Sequence, residues 1–288
     1  MPEVHLYVDL LSHTLHPESI VATGARICYS GATVENLQSK VEKNDQSEFL
    51  HRLRKQHHFS PIEHASFTFG VQGVSRALLA QITRHRLASF SVQSQRYVSQ
   101  EGHDGFNYIV PPSIRRLGVE AVKQYHEQMQ QINTLYLQWN AQLGAEGKED
   151  ARFVLPNACE TRFVMTMNAR ELLHFLELRA CERAQWEIRA LAWAVWGHLL
   201  RISPAIFADA GPSCHVGACG EGGMSCQKQH QVKRRAQAMK AFVAKNGDKK
   251  DFSRHLCQWA EENVASEIIK LEKKNSEWNF YIRKEEKD

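Results

Sequence analysis

The chain has 288 residues, of which 43% are hydrophobic and 24% charged. This composition excludes a wholly disordered or fibrous protein, and the length allows a large domain with a substantial core. Lys and Arg number 36 against 32 Asp and Glu, a net charge of +4 that does not indicate a nucleic-acid binder. The longest apolar run, Ala190 to Leu200, is too short for a membrane span of about 20 residues.

The start of the chain lacks a basic segment followed by an apolar core, so no secretory leader is predicted. The seven cysteines, an odd number, then favour reduced thiols. We therefore expect a cytoplasmic protein without a disulfide framework.

Hydrophobic periodicity predicts helices and a few widely separated strands. In chain order these are helices over 17–29 and 45–57, a strand over 65–71, a helix from Ser75, an irregular polar stretch over 87–97, a long helix over 112–143, a strand over 161–167, and apolar helices over 168–180 and 184–201. Helices outnumber strands, and the strands do not alternate with them regularly. The predicted fold class is therefore α+β, with an antiparallel or mixed sheet packed by helices.

A glycine-rich stretch over 211–223 is the clearest boundary in the chain. It divides a main domain, residues 1–210, from a Cys/Gly-rich loop and a charged extension, residues 211–288. Helices are predicted over 227–245 and 252–274, with too few apolar residues for a core of their own. We expect the extension to dock on the main domain or on another subunit.

The segment from Gln81 to Tyr97 carries the strongest chemical signal. Arg84, His85 and Arg86 close a predicted helix, and a hydroxyl-rich loop with Ser94 and a further arginine follows. Arginine forks bind phosphate oxygens in pairs, so the pattern suits a nucleotide or a phosphorylated cofactor. The alternative is a set of cations that complements a helix C-terminus, followed by a solvated loop.

Arg179 ends an apolar stripe formed by Leu172, Phe175 and Leu176 on one helix face. A guanidinium in such a place needs an anionic or carbonyl partner. An internal salt bridge, to Glu63 or Glu187, is one interpretation, and contact with a ligand is the other. His64, at the start of a strand, is by itself typical of a structural histidine.

Taken together, these motifs resemble the flavin-dependent thymidylate synthases. The signature is R-H-R followed by seven residues and a serine, Arg84 to Ser94. The supporting motifs stand in the same order as in that family, over roughly residues 17–207: Glu63-His64, Gln95-Arg96-Tyr97, Asn168-Ala-Arg170, Leu178-Arg179 and Ala184 to Ile188.

The resemblance implies an enzyme that converts dUMP to dTMP, with the methylene from 5,10-methylenetetrahydrofolate and reduction by NADPH through FAD. It also implies the fold of the thymidylate synthase complementing proteins, and a homotetramer whose active sites are shared between subunits. By motif, the residues expected to contact FAD are His64, Arg84, His85, Arg86, Asn168 and Arg170, with His174 near flavin and folate. The residues expected to hold dUMP are Gln81, Ser94, Gln95, Arg96, Arg162 and Arg179, and Arg179 is expected at the uracil ring as the catalytic residue.

Two competing functions follow from the same residues. A related flavoprotein acting on another pyrimidine nucleotide would keep the phosphate and flavin contacts, although the presence of Arg179 argues against it. A nucleic-acid-binding module would need basic residues interleaved with exposed aromatics, and the predicted aromatics fall on core faces. We therefore expect neither nucleic acid nor membrane as a partner.

Two features depart from the family pattern or are left unexplained by it. Val92 stands where some members carry glutamate, so we expect the loop to use backbone groups there.

Cys214, Cys219 and Cys226 are spaced more loosely than the ligand pairs of structural zinc sites, so no metal is predicted. No cysteine is expected to be a catalytic nucleophile. Cys28, in particular, is predicted to be an inert thiol in an apolar helical setting.

Overall fold

A computed structural model describes residues 3–98, 105–144, 147–265, 269–274 and 277–282. Its strands are β1 (Tyr7–His13), β2 (Ser66–Ser75), β3 (Ala88–Val92), β4 (Glu160–Asn168), β5 (Ile269–Lys274) and β6 (Glu277–Ile282). Its helices are α1 (Pro17–Ile27), α2 (Val34–Glu42), α3 (Ser47–Lys55), α4 (Arg76–Ile82), α5 (Pro112–Arg116), α6 (Val119–Leu143), α7 (Lys148–Ala151), α8 (Ala169–Arg179), α9 (Trp186–Ile202), α10 (Pro204–Phe207), α11 (Gln229–Asn246) and α12 (Phe252–Ala260).

Four strands form the main sheet in the order β1-β2-β4-β3, and every neighbouring pair is antiparallel. Along β2, Phe67, Phe69 and Val71 are buried, whereas the residues between them face outward or are half-buried. This alternation is the period of a sheet with one face on the core. The small antiparallel sheet among many helices confirms the α+β class.

A bulge in β2 lies next to the start of β4. Gly73 has a φ of 67°, and a Cβ there would lie 1.8 Å from the backbone oxygen of His5, so only glycine fits. Its N–H donates to Glu160 Oε1 at 3.1 Å. The bulge therefore ties the first residues of the chain to the strand that leads into the site.

Helix α9 is the centre of the core. It is buried from Glu187 to Leu200, and it packs against α8, α11 and α12. Trp193 and Trp196 are each 1% exposed, and their ring N–H groups donate to the carbonyls of Ala180 and Phe207. In the part of the chain that the structure describes, no helix combines the length and apolarity needed to cross a membrane.

Three predicted elements differ from the structure. The stretch over 87–97, predicted as irregular, contains β3, in which Ala88, Phe90 and Val92 are half-buried and alternate with exposed serines. The helix over 112–143 is broken between α5 and α6 at Gly118, whose φ is 104°. In place of the helix over 252–274, α12 ends at Ala260 and a π-helical turn follows over Glu261–Ala265. Ile269 and Leu271 alternate with charged residues, and this segment forms β5.

Helices α11 and α12 contribute side chains to the same hydrophobic core as the sheet. Ala236 and Met239 from α11, and Phe252, Leu256 and Cys257 from α12, are at most 2% exposed. The Cys257 thiol lies 3.1 Å from the backbone nitrogen of Val8 in β1.

A buried ion triad joins α11 to the loop that follows α8. Glu182 accepts from Arg189 at 3.1 Å and from Arg235, and its side chain has no exposed surface. The two guanidinium groups also donate to the backbone oxygens of Val264 and Asn263. This network ties the C-terminal helices to residues just beyond Arg179.

We predict that Glu182→Leu lowers the free energy of unfolding by about 3–5 kcal/mol, because two buried guanidinium groups lose their shared carboxylate. Urea unfolding followed by tryptophan fluorescence measures the change. Glu221→Leu is the matched control: it removes the exposed Arg183 pair, 2.5 Å long, and we expect a cost below about 1 kcal/mol. Equal costs for the two variants would contradict the prediction.

Candidate active site

A large cleft opens where β4 ends and α8 begins. Its volume is about 1050 Å³, at the upper end of the range for ligand pockets. The lining residues include seven of the predicted site positions, Arg84, His85, Arg86, Asn168, Arg170, His174 and Arg179. The α8 start is fixed locally, because Asn168 caps the helix by accepting from the Glu171 N–H at 2.9 Å.

Two of the arginines in the cleft have free side chains. Arg84 and Arg86 are exposed, and among the described residues neither side chain makes a hydrogen bond or ion pair. Arg170 is also exposed, but Glu63 holds its Nη1 at 2.5 Å. Free guanidinium groups at the rim of a cleft are suited to anionic oxygens, phosphates above all.

His85 is the buried centre of the cleft wall, with 6% of its surface exposed. Its Nδ1 lies 2.9 Å from Glu171 Oε1, and its Nε2 lies 3.1 Å from Arg179 Nε. Burial lowers the pKa of His85; the Glu171 carboxylate opposes this effect and the Arg179 cation adds to it. The ring is therefore neutral near pH 7.

Arg179 is half-buried at the end of the α8 stripe, where Leu172, Phe175 and Leu176 have no exposed surface. Besides His85, its guanidinium donates to the backbone oxygen of Gln81 at 3.3 Å. Burial lowers the pKa of Arg179, and the nearby Arg84 charge adds to this effect. Both of these protein partners are neutral, so no carboxylate among them cancels the positive charge that Arg179 presents to the cleft.

The salt-bridge interpretation of Arg179 is wrong. Glu63 pairs with Arg170, while Glu187 accepts from the N–H and hydroxyl of Ser75 at 2.6 and 2.5 Å. Neither predicted carboxylate reaches Arg179.

His174 lines the cleft, and two other predicted residues lie beside it. His174 is exposed, with its ring 6.0 Å from that of His85. Gln81 is half-buried on α4, and its amide donates to the Ala77 carbonyl at 3.2 Å. His64 does not line the cleft; it ends a 3-10 turn before β2 and packs so closely on Gly24 that a Cβ there would lie 2.8 Å from its ring.

The remaining predicted residues form a second cluster at the far end of β3. Ser94 and Gln95 are half-buried, and Arg96 pairs with Glu149 at 2.6 Å. Arg162 lies on the adjoining part of β4, where its carbonyl accepts from the Gln93 N–H at 2.9 Å. Its side chain is 3.5 Å from Glu160.

Strand β3 separates the two clusters within one chain. Ala88 pairs with Met167 at the cleft end, and Val92 pairs with Phe163 at the far end. The four steps from Ala88 to Val92, at about 3.4 Å each, put the ends of this strand about 14 Å apart. The chain therefore brings the RHR residues to Arg179, but it does not bring Ser94, Gln95, Arg96 and Arg162 to them.

All seven cysteines are free thiols. Burial raises the pKa of Cys159 and of Cys257 to about 12, and it also raises the pKa of Cys181 and Cys214. Cys28 is exposed at the end of α1, so its predicted core setting is wrong. Cys159 is nearer the predicted site than its sequence position indicates, because Gln95 donates to its sulfur at 3.6 Å.

The cysteines do not form a ligand set in the structure. Within the described ranges, no group of three or more His, Cys, Asp or Glu side chains is arranged to hold a metal ion.

Sequence analysis missed several residues of the cleft. Glu171 is the most important of them. The only feature of the sequence that marks it is its place three residues after Asn168, and a glutamate at that position usually bonds the backbone of the helix cap. Residues 209–213 and Val216 form another wall, so the glycine-rich stretch borders the cleft as well as the extension.

Comparisons with known proteins agree with the motifs. The family described as thymidylate synthase complementing protein matches residues 9–205. The flavin-dependent thymidylate synthase of Geobacter sulfurreducens is 48% identical over 227 residues, which is 79% of this chain and 96% of the relative. The enzyme of the same name from Clostridium tetani is 43% identical over 79% of this chain and 95% of its own length.

A more distant relative gives the same result. The flavin-dependent thymidylate synthase of Pyrococcus furiosus is 38% identical over 74% of this chain and 89% of its own length. The family match and these identities show that the chain belongs to the thymidylate synthase complementing protein family.

Proposed function

We propose that this chain is a flavin-dependent thymidylate synthase, which converts dUMP to dTMP with 5,10-methylenetetrahydrofolate as methylene donor and NADPH as reductant through FAD. The observation that carries the proposal is the convergence of Arg84, Arg86 and Arg179 on one cleft, with Arg179 held by neutral partners. The relatives named above carry the same activity in their names.

The cleft fits FAD by its size and donor set. The two free guanidinium groups of Arg84 and Arg86 are suited to a pyrophosphate. We assign His85, Asn168, Arg170 and His174 to the same cofactor, with His64 reaching it from outside the cleft lining. Bound FAD supplies the redox chemistry that protein side chains lack.

The chain's own contribution to the reaction is electrostatic. Arg179 would face the pyrimidine, where a fixed cation stabilises negative charge that develops on the ring as its C5 is alkylated. Because its protein partners are neutral, this charge is not cancelled by a carboxylate. The raised pKa values of the buried thiols leave them protonated at neutral pH, which argues against thiolate addition to dUMP as the activating step.

The proposal divides the chain into a catalytic domain, residues 1–210, and an extension, residues 211–288. Packing of α11 and α12 on α9 supports a role for the extension in stabilising the region after Arg179. Its first residues would border the cofactor, since Gly211, Pro212 and Ser213 line the cleft.

The basic test is synthesis of dTMP by the purified full-length chain with dUMP, methylenetetrahydrofolate, NADPH and FAD. Omission of each component in turn should abolish product, with FAD omitted from protein that has been stripped of bound flavin. Product formation by the flavin-free protein would contradict the proposal, as would turnover of another pyrimidine nucleotide in preference to dUMP.

Arg86→Ala should weaken FAD binding about 10- to 100-fold, since one charge-assisted hydrogen bond contributes about 1.5–3 kcal/mol. Titration with FAD, followed by quenching of flavin fluorescence, measures the dissociation constant. Arg52→Ala is the matched control, because Arg52 is exposed on α3 and does not line the cleft. Unchanged FAD affinity in the Arg86 variant would remove this residue from the proposed cofactor site.

Arg179→Lys should lower kcat for dTMP synthesis about 100-fold or more, while thermal unfolding and flavin content stay near those of the native protein. Lysine keeps the charge but lacks the planar fork that donates to His85 and Gln81 while facing the cleft. Steady-state kinetics at saturating dUMP measures the loss. Near-native turnover would show that Arg179 is not the catalytic residue.

We also propose a homotetramer in which Ser94, Gln95, Arg96 and Arg162 of one chain complete the cleft of another. Two observations support it: the two clusters lie at opposite ends of β3, and α6 exposes large apolar side chains such as Leu135 and Trp139, each close to half exposed.

Coexpression of Arg179→Lys and Arg96→Ala chains tests the shared site. If one site takes these residues from two chains, random mixing restores up to about a quarter of the sites, whereas each variant alone stays nearly inactive. Light scattering should give the mass of four chains. No recovery of activity in the mixed protein would place the whole site within one chain.

A further inference from the structure

The hydrogen bonds of His85 determine which of its nitrogens carries the proton. A guanidinium offers only donors, so Nε2, 3.1 Å from Arg179 Nε, must act as the acceptor. A carboxylate offers only acceptors, so Nδ1, 2.9 Å from Glu171 Oε1, must be the donor. The neutral Nδ1–H tautomer is the form that satisfies both contacts.

The Glu171 carboxylate is placed for this contact and not for the helix cap. A glutamate three residues after the N-cap usually reaches back to the N–H of the cap residue. Here the carboxylate bonds His85 across a sequence separation of 86 residues, and Glu171 is only 5% exposed. Burial of a carboxylate is costly, and its bond to the imidazole N–H offsets part of that cost.

We propose that Glu171 is a positioning residue for Arg179: by accepting the Nδ1 proton of His85, it keeps the Nε2 lone pair directed at the Arg179 guanidinium. The proposal rests on the proposed function in one respect, the role of Arg179 at the pyrimidine.

Loss of the Glu171 acceptor would free His85 to adopt the other tautomer. An Nε2–H group would face the Arg179 Nε–H, and two donors cannot bond each other. Arg179 would then keep only its 3.3 Å bond to the Gln81 carbonyl and would leave its present orientation. A second proton on the ring would not help, because the imidazolium also presents a donor at Nε2.

The surroundings of His85 leave Glu171 as the acceptor for Nδ1. The charged or titratable groups that face the ring are Glu171, His174 and Arg179 from α8. Phe175 packs edge-on at 5.2 Å and offers no acceptor for an N–H in the ring plane. Arg84, on the same segment as His85, adds a further cation near Arg179.

The first test reads the tautomer directly. Histidine-selective ¹⁵N labelling of the full-length chain, with His85→Asn used to assign the signal, should show Nδ1 protonated and Nε2 unprotonated at neutral pH. This measurement needs neither flavin nor turnover, so it stands whether or not dTMP synthesis is found. A proton on Nε2 in the native protein would overturn the proposal.

The second test compares Glu171→Met with Glu187→Met. Both substitutions remove a buried carboxylate from the first turn of a helix, but Glu187 bonds Ser75 and contacts neither His85 nor Arg179. We expect kcat for dTMP synthesis to fall about 10- to 100-fold in Glu171→Met, by analogy with the loss seen when the hydrogen-bond partner that orients a metal-ligating histidine is removed.

In the same variant, the KM for dUMP should change less than kcat, and the His85 proton should move to Nε2. Glu187→Met should lose stability but keep its kcat within about threefold of native, since the Arg179 contacts are intact. If Glu171→Met loses stability alone, like the control, Glu171 is merely structural and the proposal fails. If Glu171→Met does not fold, the His85 tautomer measured in the native protein is the test. A proton on Nδ1 supports the proposal, and a proton on Nε2 overturns it.

Discussion

The antiparallel pairing of β2 with β4 is the constraint on which the cleft depends. Ser66 pairs with Asn168, so the turn that carries Glu63 lies beside the start of α8. The β3 pairing then brings the segment before Ala88 to the same edge. Contacts such as Glu63 to Arg170, 107 residues apart, follow from this register. A slip of one residue would turn Asn168 to the other face and dismantle the cleft.

Helix α8 is held in place by contacts at both ends, and these contacts also fix the position of Arg179. At its start, Asn168 caps the helix and Glu171 bonds His85. Beyond its end, the Ala180 carbonyl accepts from Trp193, and Glu182 is buried between two arginines. In its proposed role the Arg179 guanidinium meets a reacting ring, and such support matters there because small displacements weaken electrostatic stabilisation. The C-terminal helices therefore pack and bond next to the end of the helix that carries Arg179.

Sequence patterns predicted the parts of the fold whose signal is local. The apolar run of α9 and the alternation in β2 and β4 are continuous enough to identify. Strand β3 was missed because its five residues include two serines and its partner lies about 70 residues further on. Glu171 was missed for a different reason: its position suits a helix cap equally well, and only the fold brings His85 within its reach. Spacing along the chain likewise does not say whether Ser94 and Arg179 serve one site from one chain or from two.

Among the residues that the structure describes, the carboxylates that line the cleft do not pair with Arg84, Arg86 or Arg179, which leaves these three cations available to a ligand. Glu63 is taken by Arg170, Asp209 lies near His51 and Lys240, and Glu171 is bound to His85. Of the carboxylates that line the cleft in the described residues, only Glu177 makes no such contact, and it is exposed. Arg84 and Arg179 consequently repel each other in the free protein, which the lowered pKa of Arg179 reflects alongside burial. A neutral His85 keeps a further positive charge out of this group. An anionic ligand relieves the repulsion, so part of its affinity comes from cations that the fold has left without an anionic protein partner.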